Sequence, residues 1–168
     1  IMQLSEWITK LQPHTPRVWT DRAWNLAYNI SVTEKDTSER WKWVNAGISL
    51  LRDQGIQYCP HEPEIYWEIA WTFQHKMGQD MDVAQRQYKN IWINTMTDVL
   101  WPSLDDCLRS GGHPDFEELI NPPQDDSEES RAIRARVRRL THEFKMDPRK
   151  MERIDRELGT AKVPDKNG

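Results

Sequence analysis

The feature that most constrains this chain is a short string that occurs twice. Pro13-His14-Thr15-Pro16 returns 47 residues later as Pro60-His61-Glu62-Pro63. Behind each copy comes an aromatic segment, Trp24-Asn25-Leu26-Ala27-Tyr28 in the first and Trp67-Glu68-Ile69-Ala70-Trp71 in the second, here at an offset of 43. The difference of four implies an insertion between turn and helix in the first copy. Self-similarity at this period marks stacked helical units, each unable to bury its apolar face alone. Proline suits a first helical position, where its missing N–H would be unpaired anyway, so Pro16 and Pro63 read as helix starts.

The apolar spacing beyond those prolines is helical. Trp19, Ala23, Leu26, Ala27 and Ile30 form one stripe, and Ile65, Ile69, Ala70, Phe73 and Met77 form another, closed by a left-handed cap at Gly78. A second helix follows each. Asp36 with Glu39 opens one whose stripe is Trp41, Val44, Ile48 and Leu51, and Gly55 is expected to stop it. Its counterpart opens near Asp80 to Asp82 and carries Val83, Ala84, Tyr88, Ile91 and Trp92. Both units read as helix-turn-helix.

Ala23, Leu26, Ala27 and Ile30, with Tyr66, Ile69, Ala70 and Phe73, resemble the first-helix pattern of the tetratricopeptide repeat. Val44, Ile48 and Leu51, with Ala84, Tyr88 and Ile91, resemble its second. Leu4, Ile8 and Leu11, followed by Pro16, look like the end of a preceding repeat, so the chain is expected to start inside one, and Ile1 suggests an excised or processed product. The resemblance covers roughly residues 3 to 98. It departs from the family in unit length and in having Ala27 and Ala70 where the close-packing glycine would stand; both alanines are expected to be nearly fully buried. The strings RWKWVNAGISLLRDQGIQYCP, IYWEIAWTFQHKMG and FKMDPRKMERIDRELG are similar to those of uncharacterised bacterial repeat proteins with an N-terminal membrane anchor. That likeness implies a cell-envelope location on the soluble side of a membrane; the alternative is cytoplasmic.

The implied fold class is all-α, a tetratricopeptide-like α-α superhelix with extra C-terminal helices. Residues 1–110 form the repeat domain and 111–129 an acidic, proline-rich loop or linker, with a brief helix over Phe116 to Ile120. Residues 130–160 hold amphipathic helices with the stripes Ile133, Val137, Leu140, Phe144 and Met151, Ile154, Leu158, ended by Gly159, and 161–168 form a tail.

A net charge of −4 gives no global drive toward nucleic acid or anionic membrane, and no apolar run is long enough to span a bilayer. Cys59 and Cys107 stand 48 residues apart, outside zinc-ligand spacing, and His14, His61, His75, His113 and His142 fall in no catalytic or metal motif. No cofactor, metal site, enzymatic activity or small-molecule substrate is expected. The arginines around Ile133 to Phe144 lack interleaved stacking aromatics, which disfavours a nucleic-acid adaptor but keeps it as the third reading.

Nine tryptophans, against about two for ordinary composition, are the anomaly that asks for a function. In a tetratricopeptide unit the residue after the large core position, and the one four further on, face the concave groove. That mapping assigns Trp24, Tyr28, Trp67 and Trp71 to a partner-binding groove. Large flat side chains bury much area at low entropic cost. The expected function is a protein-interaction scaffold holding a peptide or helix. Its rival is a structural soluble domain of a larger membrane-associated assembly, with the groove filled.

Overall fold

The computed structural model describes residues 2–78 and 81–158, so Gly159, the 161–168 tail and Asp80 lie outside the described residues. The chain is all-helical, with no strand among those residues. It forms two compact units, residues 1–92 and 93–168, divided inside a single helix and so ahead of the boundary expected at residue 110.

In the first unit, α1 (Met2–Leu11) leads to α2 (Pro16–Trp24), which continues through a π-helical turn, Asn25–Ile30. After a 3₁₀ turn comes α3 (Thr37–Leu50), capped by the Asp36 carboxylate accepting from the Ser38 and Glu39 N–H groups. It runs on through the π turn Leu51–Gly55 into α4 (Ile56–Tyr58). Then α5 (Pro63–Phe73) continues into the π turn Gln74–Gly78, and α6 (Gln85–Leu100) crosses between the units. The helix does not stop at Gly55: this glycine is buried where an added Cβ would lie 3.4 Å from Ile65 Cγ2. Nor is Gly78 a left-handed cap, since the positive-φ glycines among the described residues are Gly111 and Gly112.

From the proline turn into the helix the two copies align at 47 residues, with no insertion between turn and helix start. Pro16 and Pro63 each open a helix. The ring N–H of Trp19 donates to the Pro13 carbonyl at 2.7 Å, and the hydroxyl of Tyr66 donates to the Pro60 carbonyl at 2.8 Å, the same clasp 47 residues on. Trp24 is therefore equivalent to Trp71 and Tyr28 to His75. The 43-residue echo is one helical turn out of register, an ambiguity built into any stripe that repeats every four residues.

Register also explains a second correction. Ala27 is 1% exposed, but Ala70 lies on the surface. Ala70 is equivalent to Ala23, which is covered because α3 brings Gly47 against it: a Cβ on Gly47 would lie 2.7 Å from the Ala23 carbonyl oxygen and 3.4 Å from the Ala27 Cβ. No glycine occurs in α6. Its Tyr88 joins Trp41, Val44, Ile48, Met77 and Ala84 in one core, and Ile69, Phe73 and Trp92 pack at the edge, with the Phe73 and Trp92 rings edge to face at 5.1 Å. The other core gathers Trp19, Ala23, Leu26, Leu50, Leu51, Cys59 and Ile65. The face of α1 expected to pack, Leu4, Ile8 and Leu11, is exposed; α1 instead buries Thr9, whose hydroxyl accepts from Arg22.

In the second unit, α7 (Leu104–Arg109) closes on Gly111 and Gly112 in the left-handed region, with the Gly112 N–H donating to the Cys107 carbonyl. Then come α8 (Phe116–Ile120), α9 (Glu128–Arg138) with its π turn Arg139–Glu143, and α10 (Pro148–Leu158). The acidic stretch before α9 is tied down. Arg134 donates to the Pro123 and Asp125 carbonyls at 2.6 and 2.8 Å, and Ser130 donates to the Asp125 carboxylate.

Gly47→Ala tests the close approach. Helix propensity alone would favour alanine by about 1 kcal/mol, whereas overpacking against the Ala23 backbone costs roughly 1 to 3 kcal/mol. A lower denaturation midpoint is expected. Ala70→Leu, by contrast, should stay within about 0.5 kcal/mol of the parent. A midpoint raised by Gly47→Ala would show that nothing rigid opposes the new methyl.

Candidate functional site

The site is built from one side of α2 and α5. The N-terminal half of α2 touches that of α5, where the Thr20 hydroxyl donates to Glu64 Oε1 at 3.1 Å, and further along Tyr28 meets His75, so the helices run side by side in the same direction. On each helix, rings four residues apart fall one above the other on one face. Trp24 stacks on Tyr28 at 5.4 Å, Trp67 on Trp71 at 5.4 Å, and Trp71 on His75 at 5.5 Å. These spacings match the roughly 5.4 Å helical pitch. Tyr28 and His75 join the columns at 5.3 Å, giving one ladder in the order Trp24, Tyr28, His75, Trp71, Trp67.

All four aromatics singled out from the sequence thus lie on one surface. Trp24, Trp67 and Trp71 are 46%, 59% and 36% exposed, and Tyr28 is half-buried. The ring that sequence reasoning missed is His75. The 47-residue register identifies it at once, because His75 occupies the position of Tyr28 and follows Trp71 by four. Both joining rings sit in π-helical turns, whose extra residue per turn re-aims the side chains at the end of each helix.

The ladder is closed at one end and open at the other. At the closed end the Lys76 ammonium lies 4.4 Å from the centre of the Tyr28 ring and 2.8 Å from Asp82 Oδ2, a pair whose side chains are 3% and 9% exposed. Burial works against the Asp82 charge, but the Lys76 ammonium and the Ala84 N–H outweigh it and hold this carboxyl below its usual range. Burial also pushes the Tyr28 phenol up to about 12, against the easing effect of the Thr72 hydroxyl beside it.

At the open end the charges are acidic. Glu68, next to Trp67 on α5, is nine-tenths buried, and its Oε1 has no hydrogen-bond partner among the described residues. Burial, then the nearby carboxylates of Glu64 and Asp21, raise its pKa. Comparison with protein-family models, characterised proteins and solved structures gave no match to the chain.

The remaining candidates lie elsewhere. His14 Nδ1 is 3.1 Å from the Tyr58 carbonyl oxygen, His113 Nδ1 is 3.1 Å from Asp155, and His61 and His142 are exposed. Among the described residues no three His, Cys, Asp or Glu side chains gather to hold a metal ion, and no helix is long and apolar enough to cross a membrane. Cys59 is buried with its thiol pushed up, first by burial and then by Glu62. Of the basic helix, Arg134 serves the loop before α9, Arg136 pairs with Glu118 at 2.8 Å, and Arg139 faces Glu143 at 3.3 Å.

Two stability effects follow. Asp82→Asn leaves the Lys76 charge buried without its counter-ion and should cost about 3–5 kcal/mol in chemical denaturation. Because the folded Asp82 pKa is depressed, its contribution is present above the unfolded value and disappears as pH falls through the folded one. Glu68 has the opposite sign: with its folded pKa raised, its contribution is full below the unfolded value and is lost as pH rises through the folded one. Glu68→Gln should therefore melt with the parent near pH 4 and above it at neutral pH. Equal melting at both would place the Glu68 carboxylate in a solvated environment.

Proposed function

We propose that this chain is a protein-interaction module of the tetratricopeptide-like class, whose first unit holds a peptide or helix of a partner protein across the α2 and α5 face. One observation carries the reading. Three tryptophans of a five-ring ladder are more than a third exposed, although the cores of the unit are filled by other residues. Contiguous apolar surface of this kind is uncommon on soluble domains and marks interaction sites. Ring stacking fixes the rotamers beforehand, so a partner ordered on them costs less entropy than one bound to free side chains.

A cell-envelope location on the soluble side of a membrane belongs to the same proposal, with the cytoplasm as its alternative; what supports it is the resemblance of RWKWVNAGISLLRDQGIQYCP, IYWEIAWTFQHKMG and FKMDPRKMERIDRELG to strings of membrane-anchored bacterial repeat proteins. As a purely structural domain, the chain would have no use for the exposed ladder. A nucleic-acid role would need the guanidinium groups of α9 and its π turn, of which Arg134, Arg136 and Arg139 are engaged within the unit.

The test is a partner retrieved with the intact chain and titrated against Trp67→Ala and Trp71→Ala proteins that keep the parent circular dichroism spectrum. Each substitution should cost about 2 kcal/mol or more of binding, the hot-spot range. Parent affinity in both variants would overturn the proposal.

A further inference from the structure

Stacking covers the faces of the inner rings but leaves one face of each end ring free. Both end rings, Trp24 and Trp67, point toward the N-terminal ends of their helices, because helical side chains lean that way. One turn further in that direction stand Thr20 and Asp21 on α2 and Glu64 on α5, with Thr20 bonded to Glu64. Glu68 follows Trp67 on α5, its Oε1 unpaired among the described residues; its charge acts on Tyr28, and the Glu64 and Asp21 carboxylates act on it. The open end of the ladder therefore offers two free indole faces beside three carboxylates.

The cations within reach do not neutralise it. Arg17 lies 3.6 Å from Asp21 with both side chains well exposed, a pairing of little strength. Arg22 turns toward α1, where it donates to Thr9, and Lys76 is buried at the closed end against Asp82. Among the described residues Glu64 has a hydroxyl for a partner and Glu68 forms no ion pair.

We propose that the occupant of this face is a basic peptide segment whose arginine or lysine side chain lies against the free face of Trp67 or Trp24 and is paired by Glu64 and Glu68. This rests on the interaction-module reading and adds the chemistry of the partner. A guanidinium suits both halves of the site: its flat face stacks on an indole, and its edge donates two parallel hydrogen bonds to a carboxylate. An acidic segment would meet uncompensated repulsion. An uncharged one would leave the Glu68 carboxylate buried and unpaired.

The experiment is a selection of short random displayed peptides on the intact chain, counter-selected on the Trp67→Ala/Trp71→Ala protein so that only ladder-dependent binders remain. Those binders should be enriched in arginine and lysine and depleted in aspartate and glutamate. Affinity for a representative binder should fall about tenfold in a Glu64→Gln/Glu68→Gln protein, and added salt should weaken the parent more than that variant. Ladder-dependent binders that are neutral or acidic, or basic binders indifferent to the two glutamate substitutions, would overturn the inference while leaving the face a docking surface. Recovery of no ladder-dependent binder at all would bring down both. Glu64→Gln alone, at an exposed position, separates loss of binding from any change in folding.

Discussion

Ile65 is the side chain on which the aromatic face depends. It is completely buried, within the core of Trp19, Ala23, Leu51 and Cys59, at the point where α5 begins to run beside α2. Gly55 leaves room for it, since its absent Cβ would sit 3.4 Å from the isoleucine Cγ2. With Ile65 seated and Pro63 fixing the helix start, the rotation of α5 about its axis is set. Glu68, Thr72 and Lys76 then turn inward while Trp67, Trp71 and His75 line up outside. Had α5 begun one residue later, every ring would have swung by about 100°, and the column across from Trp24 and Tyr28 would not exist.

What the sequence made legible was whatever depends on local periodicity. Proline starts, the Asp36 cap, the helix over Phe116 to Ile120 and the shared face of Trp24 with Tyr28 and of Trp67 with Trp71 all follow from spacings of three and four. Less legible was anything depending on which of two turns faces a neighbour. A shift of four residues returns a helix stripe almost to itself, so a 43-residue echo and a 47-residue one look alike until a non-helical mark decides. That mark is the clasp from Trp19 to Pro13 and from Tyr66 to Pro60. Ala70 fell to the same ambiguity. Gly55 misled for another reason: glycine can end a helix or admit a neighbour, and here Ile65 uses it for the second.

The electrostatics divide the face as the packing does. At its closed end the buried Lys76 is matched by Asp82 and lies over the Tyr28 ring, so the charge is desolvated but answered on two sides. At its open end Glu68 is desolvated and flanked by charges of its own sign. A glutamine of the same shape would remove that cost, and so would a protonated carboxyl. Glu68 and Lys76 come from the same helical run, eight residues apart, and both are buried, so the asymmetry is not one of depth. It comes from the partners: Asp82 stands against Lys76, and among the described residues no cation stands against Glu68.

That asymmetry bears on why so many rings are displayed. Stacked indoles alone would make an adhesive strip, able to hold any apolar segment and prone to hold copies of itself. Carboxylates beside the two free faces alter the balance by penalising apolar and acidic occupants, since each would leave Glu68 without a counter-ion, and by rewarding a cation. On the proposed reading, the unpaired glutamate supplies the discrimination that the tryptophans lack, and its cost in the free chain is the repulsive element that a specific surface requires. Affinity and selectivity then reside in different residues of the same two helices, the rings and the carboxylates, and each can be removed without the other.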